Sequence, residues 1–200
     1  AIAKRIIEAH GGLFWIGPKE GKSIQYNFSI PAAWIPLTTS ATTDRLQYFY
    51  KFKFSNGQEK EFEVILDPKS LELLRDSDVP KPDWTKLKFS QCDNCPLGDS
   101  VEYCPVAINL SRVVETFRDN DSFEQTTVTV ETPQRLYTKN LQLQKGISSL
   151  IGMIMVTSNC PIMDKLRPMA RFHLPFATSL ETFYRTVSMY LTAQYLLLQK

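Results

Sequence analysis

Hydrophobic and polar positions alternate most cleanly in "LQYFYKFKF", where Leu46, Tyr48, Tyr50, Phe52 and Phe54 occupy every second place. A period of two puts all five on one face of a β-strand. Asn56-Gly57 follows, a dipeptide suited to the positive φ angles of a tight hairpin turn. The next segment, "KEFEVILD", presents Phe62, Val64 and Leu66 with the same period, so the two segments predict a hairpin. "FEQTTVTVETPQRLYTK" predicts a second strand pair, bent at Thr132-Pro133.

The period then changes to that of helices. Pro105 stands at the first position of a predicted helix whose inward stripe is Val106, Leu110, Val113, Val114 and Phe117. A helix over about 143–157 turns Leu143, Ile147, Leu150, Ile151 and Ile154 inward. Another covers about 179–198. Thr178 and Glu181 have the spacing of a capping box at its start, and Leu180, Phe183, Tyr184, Val187 and Leu191 form its apolar side. Before all of this, residues 1–31 read as helix, strand, turn, strand. "AIAKRIIEAHGG" sets Ile2, Ala3, Ile6 and His10 on one side, and "LFWIG" and "IQYNFSIP" are strand-like. "PAAWIPLTTSATT" has no periodicity and reads as a linker, with a boundary near residue 36. Two units follow: residues 1–36, and a cysteine-containing unit over 37–200. Strands segregate from helices, which predicts an α+β fold: antiparallel hairpins with a helical C-terminal half packed on them.

Composition supports a packed core. Hydrophobic residues are 43% of the chain and aromatics 12%, far from the make-up of a disordered segment. The net charge of +2 comes from residues 1–34, where Lys4, Arg5, Lys19 and Lys22 face Glu8 and Glu20. No basic stripe points to nucleic acid. The longest apolar run, "GISSLIGMIMV", is short of the roughly 20 residues that span a bilayer. The expected setting is cytoplasmic, where thiols stay reduced.

That setting gives the cysteines their interest. They follow the pattern Cys92-x2-Cys95-x8-Cys104-x55-Cys160, and three of the four precede proline. A C-x2-C pair lets one short loop offer two thiolates to a single ion. Cys104 immediately precedes the Pro105 helix, beside the positive end of its dipole. Four reduced thiols would complete a tetrahedral zinc site; an iron–sulfur cluster is the rival, and ordinary unliganded cysteines the third reading. The segment "LRPMARFHLPFATSLETFYR" brings Arg167, Arg171, His173, Glu181 and Arg185 among apolar residues. His173 is a candidate acid–base group or anion contact with Arg167 and Arg171 beside it, weighed against a histidine merely satisfied in packing. No glycine-rich phosphate loop, Ser/His/Asp order or histidine metal motif is present.

Two stretches resemble known families. "AIAKRIIEAHGG", "LFWIG", a Gly-Lys turn and "YNFSIP" resemble, in that order, the C-terminal end of the ATP-binding domain of sensor histidine kinases. The boxes that hold ATP in that family lie upstream of this point. Gly21-Lys22-Ser23-Ile24-Gln25 also lacks the family's second glycine and its threonine, so nucleotide binding by these residues is not expected. From about residue 44, "CDNCPL", "YCPVAINL", "SNCPIMDKLRPMARFHLPFATSLET" and "YLTAQY" resemble an uncharacterised bacterial family, with no activity implied. That resemblance suggests a chain truncated at its C-terminus. The combined expectation is a metal-stabilised regulatory or interaction domain, joined to a histidine-kinase-type protein of two-component signalling and not catalytic by itself. Its expected partners are other kinase segments, other proteins or a second copy, with no nucleic acid and no membrane span. The alternatives are a redox or hydrolytic enzyme using His173 and its arginines, and an iron–sulfur redox sensor.

Overall fold

The structure, a computed structural model, describes residues 8, 13–16, 26–29, 45–74 and 81–198. The chain divides into two compact units, Ala1–Thr43 and Asp44–Lys200, where linker composition suggested a boundary near residue 36. In the first, Glu8 is helical, and β1 (Leu13–Ile16) pairs antiparallel with β2 (Tyr26–Ser29), Leu13 opposite Ser29. The rest of the predicted first helix, its His10, the Gly-Lys turn and the linker lie outside the described residues.

The second unit is α+β. Its sheet runs β3 (Leu46–Phe54), β4 (Glu59–Leu66), β5 (Gln125–Glu131) and β6 (Leu136–Gln142), in the spatial order β4-β3-β5-β6, all antiparallel. The period of two does what it predicts. Tyr48, Tyr50, Phe52 and Phe54 are buried on one face, beside Phe62, Val64 and Leu66 of β4 and Val128 and Val130 of β5. The opposite face carries Lys51 with Glu59 and Glu61, and a Thr129–Thr138 contact. One buried and one open face is the usual antiparallel solution.

The β3–β4 turn departs from the expected tight hairpin. Positive φ is confined to Gly57 (+84°), and Phe54 exchanges backbone bonds with Gln58 and Gly57. The Asn56 side chain accepts from the Gln58 N–H at 2.8 Å, so it braces a longer loop instead of taking a left-handed backbone itself.

Three longer helices and one single turn follow: α1 (Pro105–Phe117), α2 (Leu143–Thr157), α3 (Pro168–Arg171) and α4 (Ser179–Leu198). Val113 and Phe117 of α1 and Leu143, Leu150, Met153 and Ile154 of α2 close the core over the sheet. Phe117 stacks on Phe62 with ring centroids 5.4 Å apart, and meets Phe52 edge-on at 4.9 Å. Val114, expected inward, is exposed, while Ser111 is buried, because it bonds the Ile108 carbonyl at 2.7 Å. Lys60 shares the buried face of β4, and its ammonium reaches the Thr116 carbonyl and Asn120 Oδ1, both at 2.5 Å. It thereby caps the negative end of α1 while lying 5.3 Å from the Phe117 ring centre.

α4 contains the main surprise. Thr178 and Glu181 form the predicted capping box: the Thr178 N–H donates to Glu181 Oε2 at 2.7 Å and the Glu181 N–H to Thr178 Oγ1 at 3.2 Å. Yet none of its residues is buried. Leu180, Phe183, Tyr184, Val187 and Leu191, its expected core side, face solvent. The helix instead meets the domain through polar groups: Arg185 donates to the Phe172 carbonyl at 2.6 Å, and Thr186 contacts the Met169 sulfur at 3.4 Å. No helix among the described residues is long and apolar enough to cross a membrane.

Candidate functional site

The cysteine segment is a chain of turns laid beside α1. Two short 3-10 turns, Asp83–Thr85 and Leu87–Phe89, lead into it. Cys92 is exposed and Cys95 half-buried, in one turn closed by the Cys95 N–H on the Cys92 carbonyl at 3.0 Å. Cys104 stands immediately before α1. Its N–H donates to the Thr85 carbonyl and its own carbonyl accepts from Ile108. Cys160 follows α2, and its carbonyl accepts from the Asp164 N–H at 2.8 Å. All four thiols are free. Among the described residues, no three His, Cys, Asp or Glu side chains are grouped to hold a metal ion. The zinc and iron–sulfur expectations for Cys92, Cys95, Cys104 and Cys160 rest on spacing alone.

The three candidates near residue 170 separate. Arg167 is tied down by Asp164, by Glu72 at 3.2 Å and by Asn159 Oδ1 at 2.7 Å. Arg171 donates to the Pro68 carbonyl. Both act as clasps between the 163–171 segment and the loop after β4. His173 alone lines a cavity. It sits on the connector between α3 and α4, where Pro175 keeps the preceding backbone out of a helix.

That cavity, about 640 Å³, lies between β6, α2, the 163–178 segment and α4. On its inner wall, His173 Nε2 meets the Tyr50 hydroxyl in a short hydrogen bond and Ser149 Oγ at 3.4 Å. The Tyr48 hydroxyl, next on the same strand face, donates to the Ala170 carbonyl at 2.8 Å. Phe176, further along the connector, has φ of +59°, a strained conformation for a bulky residue, and its side chain lines the same space. Sequence reasoning reached His173 and Arg185. It missed Tyr50 and Ser149, whose signal was faint: an in-facing hydroxyl on an aromatic strand face, and a Ser pair inside an otherwise apolar helix.

Burial, with the Arg185 guanidinium adding to it, lowers His173 to about 4. Burial likewise raises Tyr50, so its phenol keeps its proton. The phenol occupies Nε2 more closely than Ser149 does, so the ring is not placed to take a proton from that serine. It is a fixed, neutral imidazole. Stability should depend on it with a definite sign. Above pH 6.5 the ring is neutral in both folded and unfolded chains and contributes no pH dependence. Between 6.5 and about 4 the unfolded chain binds a proton that the folded one refuses, so stability falls with pH, by at most about 1.4 kcal/mol per unit. Urea melts at pH 7.5 and 5.5 should show this loss in the natural chain and not in His173→Asn; equal losses in both would refute the assignment.

The fold and its cavity define a two-layer α+β domain, with a sheet open on one side and helices on the other. The chain belongs to the family described as a domain of unknown function, DUF6901, which matches residues 48–200. No curated protein and no solved structure matches it.

Proposed function

We propose that residues 44–198 form a regulatory interaction module, not catalytic by itself, that associates with a second copy of the chain through the outward side of α4. One observation carries this reading. Ten large apolar side chains of a single helix, from Leu180 to Leu198, are between 37% and 84% exposed. Leu180, Phe183, Tyr184, Val187, Tyr190, Leu191, Tyr195 and Leu198 recur at helical spacing along one side, and an apolar face of that kind marks an interaction surface. Two polar residues of the helix, Arg185 and Thr186, contact its own domain instead. A second copy is the partner chosen because the face is self-complementary. From Thr186 to Leu198 the helix carries no charged residue, so a two-fold contact presses no like charges together. Tyr184, Tyr190 and Tyr195 supply rings with polar edges, a composition common at interfaces.

The kinase-like word order of residues 1–31 supports placing this association in a two-component signalling protein. Thiol spacing alone supports a zinc ion, or an iron–sulfur cluster, within the module, and the association depends on neither.

Light scattering on the full chain over a wide concentration range tests the reading. The natural chain should be dimeric, and the Tyr184→Glu, Leu191→Glu double variant monomeric with an unchanged circular dichroism spectrum. A natural chain that stays monomeric at every concentration overturns the association. A dimer that survives the double substitution moves it to another face.

A further inference from the structure

The inward side of α4 poses a separate question, because it roofs the cavity that His173 lines. At about 640 Å³ this space falls within the roughly 300–1,000 Å³ of small-molecule sites. Its walls divide by chemistry. Met153, Met163, Met169, Leu166 and Phe176 make an apolar part. Three thioethers in one wall give it a soft, adaptable lining.

The remaining wall offers donors. Lys139 comes from the helix-side face of edge strand β6, Lys145 from the first turn of α2, and Arg185 from α4. Among the described residues, no aspartate or glutamate lines the space. Among the described residues, neither lysine has a carboxylate at ion-pair distance. Glu181, whose carboxylate feels the charge of Lys139, is engaged in capping α4. Arg185 uses Nη2 for the Phe172 and Met169 carbonyls, at 2.6 and 3.4 Å, which leaves Nη1 and Nε for another acceptor.

A pocket with an apolar floor, three cations and no anion is built for a molecule of matching polarity. We propose that this cavity binds a small amphipathic carboxylate, its apolar body against the methionines and Phe176 and its carboxylate between Arg185 and Lys145. A carboxylate suits the site because its two oxygens can accept at once from the Arg185 Nη1 N–H groups and from the Lys145 ammonium, both charge-assisted bonds. The strained backbone of Phe176 is then the feature that turns its ring into the binding space. The inference uses the inward side of α4 only, so it does not depend on association through the outward side.

Calorimetry on the intact chain with octanoate, octanol and octylamine tests it, read together with methyl shifts of Met153, Met163 and Met169. Octanoate should bind at least about tenfold more tightly than octanol, a difference of about 1.4 kcal/mol, and octylamine should not bind. Lys145→Gln, an exposed change with no fold role, should weaken octanoate several-fold and leave octanol unaltered. Arg185→Gln should remove most of the preference. Equal affinity for octanoate and octanol, or no saturable octanoate binding by the folded chain, overturns the proposal. So do octanoate-induced shifts confined to the outer residues of α4.

Discussion

Phe52→Ala should cost about 3–5 kcal/mol of folding stability, the largest loss expected from any single truncation in the sheet. The ring is fully buried and stands where both layers meet. Its centroid lies 4.9 Å from Phe117 of α1 and 6.4 Å from Phe62 of β4, and it runs nearly parallel to Tyr50 at 6.4 Å. Val128 is its cross-strand neighbour on β5. Removing the ring therefore takes contacts from two helices and three strands at once. The surrounding rings are held by backbone hydrogen bonds of the sheet, so they can close only part of the void. Phe49→Ala, on the opposite face and 43% exposed, is the matched control and should stay within about 0.5 kcal/mol. Urea denaturation of the two variants beside the natural chain measures both. A Phe52 effect no larger than the Phe49 effect would mean that the helices do not pack on this face.

The second large effect is a pair of opposite signs within one helix. Gly146→Ala and Gly152→Ala make the same change in α2, and intrinsic helix propensity favours alanine by about 1 kcal/mol at both. The surroundings differ. A methyl group at 146 would stand 2.7 Å from Val128 Cγ2, 3.2 Å from Phe52 Cε1 and 3.4 Å from Leu141 Cδ1. Val128 is fully buried and branched at Cβ, so its methyl cannot swing aside. Separating α2 from β5 to make room should outweigh the propensity gain and leave a net loss of about 1–3 kcal/mol. At 152 nothing lies within 4 Å, so that variant should gain about 0.5–1 kcal/mol. Thermal melts of the two proteins should shift in opposite directions. A rise in Tm for Gly146→Ala would show that α2 does not sit as close to the sheet as the glycine allows.

These two residues show what a sequence conveys and what it conceals. Phe52 is legible from alternation alone, because a strand's two faces are fixed by backbone geometry and the aromatic side must be covered. Gly146 reads only as a weak helix residue; its use, close approach to Val128, appears when β5 and α2 are brought together. The cysteines are a parallel case. Spacing places Cys92 and Cys95 in one turn, which the structure forms. It says nothing of contact with Cys160, sixty-five residues beyond Cys95, because loop closure over such a distance is decided by the elements between.

Local signals determined the hairpins, the start of α1 at Pro105, the capping box before α4 and the segregation of strands from helices. Each depends on groups within a few residues of one another, so neighbours in the chain suffice. The tertiary structure alone decided which side of α4 meets the domain. Periodicity reveals that a helix has an apolar stripe and not what covers it. Here the polar stripe, Thr182, Arg185 and Thr186, satisfies carbonyls and a cavity on the domain, and the apolar stripe is turned out to water. The same packing gave His173 its character, setting it against Tyr50 across 123 residues of chain. Burial among distant segments, which no window of sequence contains, is the physical source of both.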